Sequence, residues 1–213
     1  RQAAKGIEAF FCHWTGILSH LSREQGVIDA DARGRKDLNV FLVAHKDDIR
    51  AVARLDARGK ILFTVPFNRA LVGKDMTDMP HVAAIIATKK PVISDVFTSA
   101  QGFDGVAIHV PVMKKGVFDG SIGILVRFDT VARRYLEDIR IGETGYAWVI
   151  DEKGTEVFCP VPGHTGKSVF ENCGNFSEII TMAREMMKGR SGVTTYHYDR
   201  IRGETRETVK KHA

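Results

Sequence analysis

The sequence predicts an α+β fold in which a long N-terminal helix precedes two similar modules with antiparallel sheets, the second of them incomplete. Three observations predict it. An apolar stripe with helical spacing runs through the first fifty residues. Later segments change to the two-residue alternation of strands. One short strand–turn–strand grammar also occurs twice. Residues 51–56 end in Asp56, turn through Ala57-Arg58-Gly59-Lys60 and return at Ile61-Leu62-Phe63. About ninety residues later, Tyr146-Ala147-Trp148-Val149-Ile150 ends in Asp151 and turns through Glu152-Lys153-Gly154.

The elements follow in order. Ile7, Phe10, Phe11, Trp14, Ile17, Leu18 and Leu21 recur at three- and four-residue steps and define the opening helix. Gly26 and the stretch to Gly34 interrupt it, with Asp29 and Asp31 available as caps, and a second helix carries Leu38, Phe41, Leu42, His45 and Ile49. Segments 51–56 and 60–65 read as a hairpin. A loop at 71–75 enters a short helix at 80–88, with Asp78 as its cap and Pro80 at its first position. Residues 91–97 read as a strand and 99–105 as a turn. Strands at 106–113 and 121–128 flank a connection at 114–120. A helix at 130–140 links to the second module. Its strands are expected near 145–151 and 155–159, its helix at 176–188, a strand at 193–198, a turn at 202–204 and a further strand from 205. The organisation expected is therefore a helical stalk (1–50), a ligand-binding module (51–129), a linker helix (130–140) and a second module (141–213).

Composition excludes several classes. With 213 residues, 44% hydrophobic and 27% charged, the chain is an ordinary globular protein able to bury a core. Its net charge of +5 does not indicate nucleic acid, because acidic residues interleave with the basic ones, as in Arg133-Arg134-Tyr135-Leu136-Glu137-Asp138. Cys12, Cys159 and Cys173 form no CxxC pair and no zinc-finger spacing, and free thiols are expected. His13 and His20, seven residues apart beside the apolar stripe, read as solvated or interfacial rather than as metal ligands. No run reaches the length of a membrane span. The chain starts at Arg1 without a signal-peptide pattern and reads as a piece of something longer.

No catalytic motif stands out. Gly163-His164-Thr165-Gly166-Lys167-Ser168 ends like a phosphate loop but lacks its first glycine, since position 161 is Val161, and no regular helix is expected until later. The paired strands are more informative. Val106, Ile108, Val110 and Val112 share one face, as do Ile122, Ile124, Val126 and Phe128. The opposite faces carry Ala107, His109 and Pro111, and Gly123, Leu125 and Arg127. A cavity on that side would present His109 and Arg127 to a small molecule, and an arginine in a half-closed apolar pocket suits a carboxylate. Alternatively, Arg127 is an edge residue facing water and paired with a surface acid.

The markers Leu71-Val72-Gly73-Lys74-Asp75-Met76-Thr77-Asp78-Met79-Pro80, Gly123-Ile124-Leu125 and Arg140-Ile141-Gly142-Glu143-Thr144-Gly145-Tyr146 resemble the double Cache family over nearly the whole chain. Those proteins are extracytoplasmic sensor regions of bacterial and archaeal receptors, with a long N-terminal helix bearing two PAS-like modules. The resemblance implies a periplasmic or extracellular, membrane-tethered receptor domain without catalysis or cofactor. Its output would be a sensor histidine kinase, with a methyl-accepting chemoreceptor or a cyclic-dinucleotide enzyme as alternatives. Amino-acid-binding members carry Arg-x-Trp-aromatic where this chain has Met79-Pro80-His81-Val82, and an Asp at the position that falls on Arg127. That replacement favours a small anion over an α-amino acid. Phe97 falls at a frequent pocket tyrosine, and Phe103 in the loop that closes over the pocket.

The ligand-binding set expected is Met79, His81, Phe97, Phe103, His109 and Arg127, with the two histidines adding pH sensitivity near neutrality. The opening helix is expected to pack on its own sheet, on a twin in a homodimer, or on both. Two other classes remain open from sequence: a small-molecule enzyme using His81 or His109 as general base, and a structural or adhesion module.

Overall fold

The computed structural model describes residues 2–99, 102–141, 145–202 and 205–212. The chain divides into two compact units, Arg1–Val131 and Ala132–Ala213.

In the first unit, α1 (Gln2–Leu21) buries Phe10, Trp14 and Leu18, the inner positions of the predicted stripe, and exposes Cys12, His13 and His20. A single turn α2 (Gln25–Ile28) leads to α3 (Ala32–Ala44), whose N-cap Asp31 accepts a 2.8 Å hydrogen bond from the Gly34 amide. A side chain at Gly34 would meet the Gly26 carbonyl oxygen at 2.1 Å, so the two helices close on each other only through glycine. The second helix is shorter than its periodicity suggested. Ile49 opens β1 (Ile49–Leu55), because β-branched Ile49 and Val52 bury better on the sheet.

Strand β2 (Ile61–Val65) pairs with β1. Helix α4 (Pro80–Thr88) has Pro80 in its first turn, but Met79 rather than Asp78 occupies the cap position and no side chain caps it. The expected strand at 91–97 is two short bridges, β3 (Val92–Ile93) and β4 (Phe97–Thr98), both on β5 (Asp104–Lys114). The connection from β5 to β6 (Val117–Arg127) is far tighter than predicted. Lys115 and Gly116 both take positive φ, 51° and 81°, the geometry of a two-residue hairpin turn that matches strand twist. The expected turn at 99–105 lies partly outside the described residues.

The antiparallel sheet runs β2-β1-β6-β5-β3, with β4 also on β5. Register sorts its two faces. Val106, Ile108 and Val110 pair with Val126, Ile124 and Ile122, and this buried face receives the helical side of the unit. Arg54 lies on the same face at 0% exposure. Its guanidinium donates to the carbonyls of Val27 (3.0 Å), Ile28 (3.3 Å), Asp119 (3.1 Å) and Leu55, and to the Asp119 carboxylate (2.7 Å). One buried cation thus pins α2 to the strands. The opposite face carries Ala53, Thr64, Gly105, Ala107, His109, Ser121, Gly123, Leu125 and Arg127, and α4 packs there through Val82 against Leu55 and Ile61.

Helix α5 (Phe128–Leu136) begins where β6 ends, two residues earlier than expected. The second unit contains β7 (Arg140–Ile141) on β8 (Gly145–Tyr146), β9 (Val149–Ile150) on β10 (Glu156–Phe158), α6 (Val169–Asn172), α7 (Ser177–Met187), and a hairpin of β11 (Thr195–Arg202) and β12 (Thr205–His212). Gly142, Glu143 and Thr144 of the sequence marker, and Gly203 and Glu204 of the predicted turn, lie outside the described residues. The core of this unit gathers Val169, Ile179 and Ala183 with Trp148, Ile150 and Phe176.

The repeated grammar is a repeated hydrogen-bond pattern. The Asp56 carboxylate accepts from the amides of Arg58 and Lys60 at 2.8 and 2.9 Å, and Gly59 sits at φ 83°. The Asp151 carboxylate accepts from those of Lys153 and Thr155 at 2.9 and 2.8 Å, and Gly154 sits at φ 81°. The agreement extends beyond the turn. Ile61 donates to Lys74 and accepts from Gly73, and Glu156 donates to Lys167 and accepts from Gly166. Each copy then closes with a bridge, Lys60 to Asp75 and Thr155 to Ser168.

Candidate functional site

The small-residue face of β5 and β6 gathers the predicted binding residues into two clusters. In the first, α4 lowers His81 onto the sheet, where its ring stacks on Phe97 (centroids 5.3 Å, 28°) and lies 5.3 Å from the ring of His109. His81 and His109 are both buried. His109 Nδ1 shares a 3.1 Å hydrogen bond with the hydroxyl of Ser121, itself buried on the neighbouring strand. Gly123 is opposite His109, and a Cβ there would stand 2.5 Å from the imidazole. The ring fits only over glycine.

Burial sets the charge of this pair. Desolvation pushes the His109 pKa down to about 3, with the nearby His81 adding to the shift. His81 is lowered by burial too, against the opposing pull of Asp95. Both rings are neutral at physiological pH, so the expectation of His109 titrating near neutrality is corrected. The same shift removes His109 as a general base, which needs a pKa near the working pH.

The second cluster lies four residues along β6, ~13 Å away at strand rise. Arg127 pairs in register with Gly105. Its Nε and Nη2 donate to the two carboxylate oxygens of Asp129 at 2.9 and 2.7 Å, and its guanidinium carbon lies 5.3 Å from the Phe103 ring centre. Arg127 and Asp129 are 37% and 38% exposed, so the arginine is paired with a half-exposed acid, the second of the two readings its strand position allowed. Asp129 raises the arginine's pKa, so the charge is permanent. One edge of the guanidinium is thereby occupied, while Nη1 makes no hydrogen bond to a described residue. Between the clusters the floor is Ala107 and Leu125, paired in register. Met79 lies apart from both, packed at the rim of the Leu55, Ile61 and Val82 core.

Sequence reasoning missed Ser121 and Asp129. Ser121 was legible as the neighbour of His109 only once strand register was known. Asp129 sat beyond the expected strand end. It missed a third group as well. In the second unit, Glu156, Cys159 and His164 converge, their ligand-type atoms all within 4.8 Å of one another. A cavity of about 40 Å³ is lined there by Tyr146, Trp148, Glu156, Cys159, His164 and Cys173 among others. Burial pushes the Cys159 and Cys173 thiols up to about 12 and about 11, so both are protonated. The Gly163–Ser168 segment holds no phosphate-loop helix of useful length: Ser168 caps the four-residue α6, which starts sooner than expected.

An antiparallel sheet covered by helices on one face, with a small-residue face opposite and a second copy of the turn scaffold downstream, is a tandem α+β architecture. Comparison with known families gives its class. The model for the sensor domain of HK/GC/chemotaxis-like proteins matches residues 20–127, and that for the Cache 3/Cache 2 fusion domain matches residues 119–213. The chain belongs to the family of sensor domains of HK/GC/chemotaxis-like proteins, whose model covers half of it, and its C-terminal part matches the Cache fusion model. A sequence search of curated proteins returned no match.

Among solved structures, an extracellular ligand-binding receptor from Desulfohalobium retbaense has a TM-score of 0.71 at 18% identity. The match covers 99% of this chain and 38% of that one, so the chain spans well under half of that receptor's length. The ligand-binding domain of the Pseudomonas aeruginosa amino-acid chemoreceptor PctC, solved with GABA, gives 0.63 at 17% identity over 80% of this chain and 77% of that one. The sensor domain of the Vibrio cholerae histidine kinase DctB gives 0.64 at 13% identity over 78% and 66%. At these identities the likeness is one of fold. No helix of the described residues is long and apolar enough to cross a membrane.

Proposed function

We propose that this chain is the extracytoplasmic, periplasmic-facing sensor of a membrane-tethered receptor, with a histidine kinase as its output and a chemoreceptor as the alternative. In this reading residues 51–129 bind a small anion, a short carboxylate in the first place. Residues 1–50 form the signalling stalk, 130–140 the linker and 141–213 the second module. The observation that carries the ligand class is the arrangement of Arg127. Asp129 grips the Nε/Nη2 edge and fixes the guanidinium plane, which leaves the Nη1 edge for a second carboxylate. Phe103 gives that plane an aromatic backing. The GABA-bound chemoreceptor of similar fold takes a ligand that carries a carboxylate. Ligand binding would bias the packing of α1 on the sheet, or of α1 on its twin in a homodimer, and so reach the membrane.

Thermal unfolding with panels of carboxylates, amines and amino acids tests this. A carboxylate at one hundred times its Kd should stabilise the domain by ~2.7 kcal/mol. Arg127→Ala should remove the shift and leave the apo unfolding temperature nearly unchanged. Stabilisation by amines alone, or an undiminished carboxylate shift in Arg127→Ala, overturns the reading.

A further inference from the structure

One turn-and-loop segment of the second unit, from Asp151 to Ser168, repeats the backbone of its counterpart in the first but not its chemistry. Ile61 and Glu156 hold equivalent places, each two residues past the turn glycine and each bonded through its backbone to the returning loop. In the first unit that place is apolar core, with Ile61 packed against Leu55 and Val82. In the second it is a carboxylate only 1% exposed. A carboxylate so buried is stable only with partners that balance its charge or satisfy its oxygens. Asn172 Nδ2 donates to it at 2.8 Å, and His164 Nδ1 stands 3.3 Å from each of its oxygens. The Cys159 sulfur completes a group whose ligand atoms all lie within 4.8 Å of one another, on the wall of the cavity.

We propose that Glu156, Cys159 and His164 form a binding site for a borderline-soft divalent cation of the zinc type. One carboxylate oxygen, one thiolate sulfur and one imidazole nitrogen suit zinc better than magnesium or calcium, which take oxygen sets; the Cys159 thiol, protonated without the ion, releases its proton to solvent on binding. Two ligands of a tetrahedral zinc, at bond lengths of ~2.0–2.3 Å, stand ~3.3–3.6 Å apart. Glu156 and His164 already keep that separation, and Cys159 reaches it by a small side-chain movement. Asn172 also donates to the His164 carbonyl at 3.1 Å, so one amide holds the carboxylate and the histidine's loop together. All three ligands line the cavity, which gives a fourth position room for water or a small ligand.

The experiment uses the full chain, its thiols kept reduced by a phosphine, with Zn²⁺ titrated against a chromophoric chelator and Co²⁺ as the spectroscopic probe. One equivalent should bind, and cobalt should give tetrahedral ligand-field bands with a thiolate charge-transfer band. Cys159→Ser should abolish the charge-transfer band, and Asn172→Ala should weaken binding roughly 10–100-fold. Because substitutions in a buried cluster can unfold the unit, the unmutated chain supplies a second measurement. Cys159, half-buried and protonated, alkylates slowly, so the reaction is followed over hours at mildly alkaline pH by peptide mass; Zn²⁺ should slow it further, while the exposed Cys12 reacts with or without the ion. Absence of stoichiometric binding, a cobalt spectrum unchanged in Cys159→Ser, or Cys159 alkylated at the same rate with and without zinc overturns the proposal.

Discussion

Acidification should destabilise the first unit, chiefly through one imidazole. His109 is buried among His81, Ser121 and Gly123, and desolvation holds its pKa at about 3, against 6.5 for an ordinary histidine. In the unfolded chain the ring takes a proton freely. Between those two values the unfolded state therefore binds more protons, and stability falls as pH falls. Above pH ~6.5 neither state is charged and the contribution is flat. One pH unit inside the window is worth ~1.4 kcal/mol, so a drop from pH 7 to pH 5 costs about 2 kcal/mol. That is a large share of the ~5–15 kcal/mol that holds a domain together. His81, also shifted downward by burial, adds a loss of the same sign.

The assay is urea unfolding at pH 7 and pH 5 for the natural chain and for His109→Gln, which keeps a hydrogen-bonding group near Ser121 but cannot titrate. The natural chain should lose about 2 kcal/mol more than the variant over that interval. Exposed carboxylates such as Asp75 titrate lower and affect both proteins alike. If the two proteins lose stability in parallel, or if the His109 ring titrates near 6.5 by NMR, the burial argument is refuted.

Three other outcomes are expected. Gly123→Ala places a methyl 2.5 Å from the His109 ring and should cost ~1–3 kcal/mol in thermal unfolding, while disturbing the His81–Phe97 stack. Arg54→Met leaves the Val27 and Ile28 carbonyls and the Asp119 carboxylate without their shared donor. It should destabilise by about 3 kcal/mol in chemical denaturation and speed amide exchange in α2. Asp56→Ala and Asp151→Ala each remove two turn hydrogen bonds of equal geometry. Each should cost ~1–2 kcal/mol in its own unit, and a cost confined to one copy would show that the turns are not equivalent.

The elements that were legible in the sequence are those written in a single period. The stripe through Phe10, Trp14 and Leu18, the alternation along β5 and β6, and the Asp-x-x-Gly turns each depend on residues close in the chain, and each reads directly. What did not read depends on which strands meet. Only register places Gly123 under His109 and Ser121 beside its ring. The Arg127–Asp129 pair is local, two residues apart, and depends on where β6 gives way to α5, two residues before that helix was expected to start. A histidine on a strand face is the same letter whether wet or dry, and the direction of its pKa is set by neighbours that periodicity does not name.

Duplication explains why the second site was the harder one to see. Two copies that share a turn, a loop bond and a closing bridge keep their backbone through amides, carbonyls, one Asp and one Gly. Side chains pointing inward from that frame are constrained only by volume and by satisfied polarity. Ile61 meets the second condition by having nothing to satisfy. Glu156 meets it only because Asn172 and His164 stand where they do. Replacing an inward Ile by Glu in the first unit would leave a bare carboxylate against Leu55 and Val82, at a cost of several kcal/mol. That the second unit carries the charge at the equivalent place, with polar partners from two further segments, is what separates a built site from a chance surface acid.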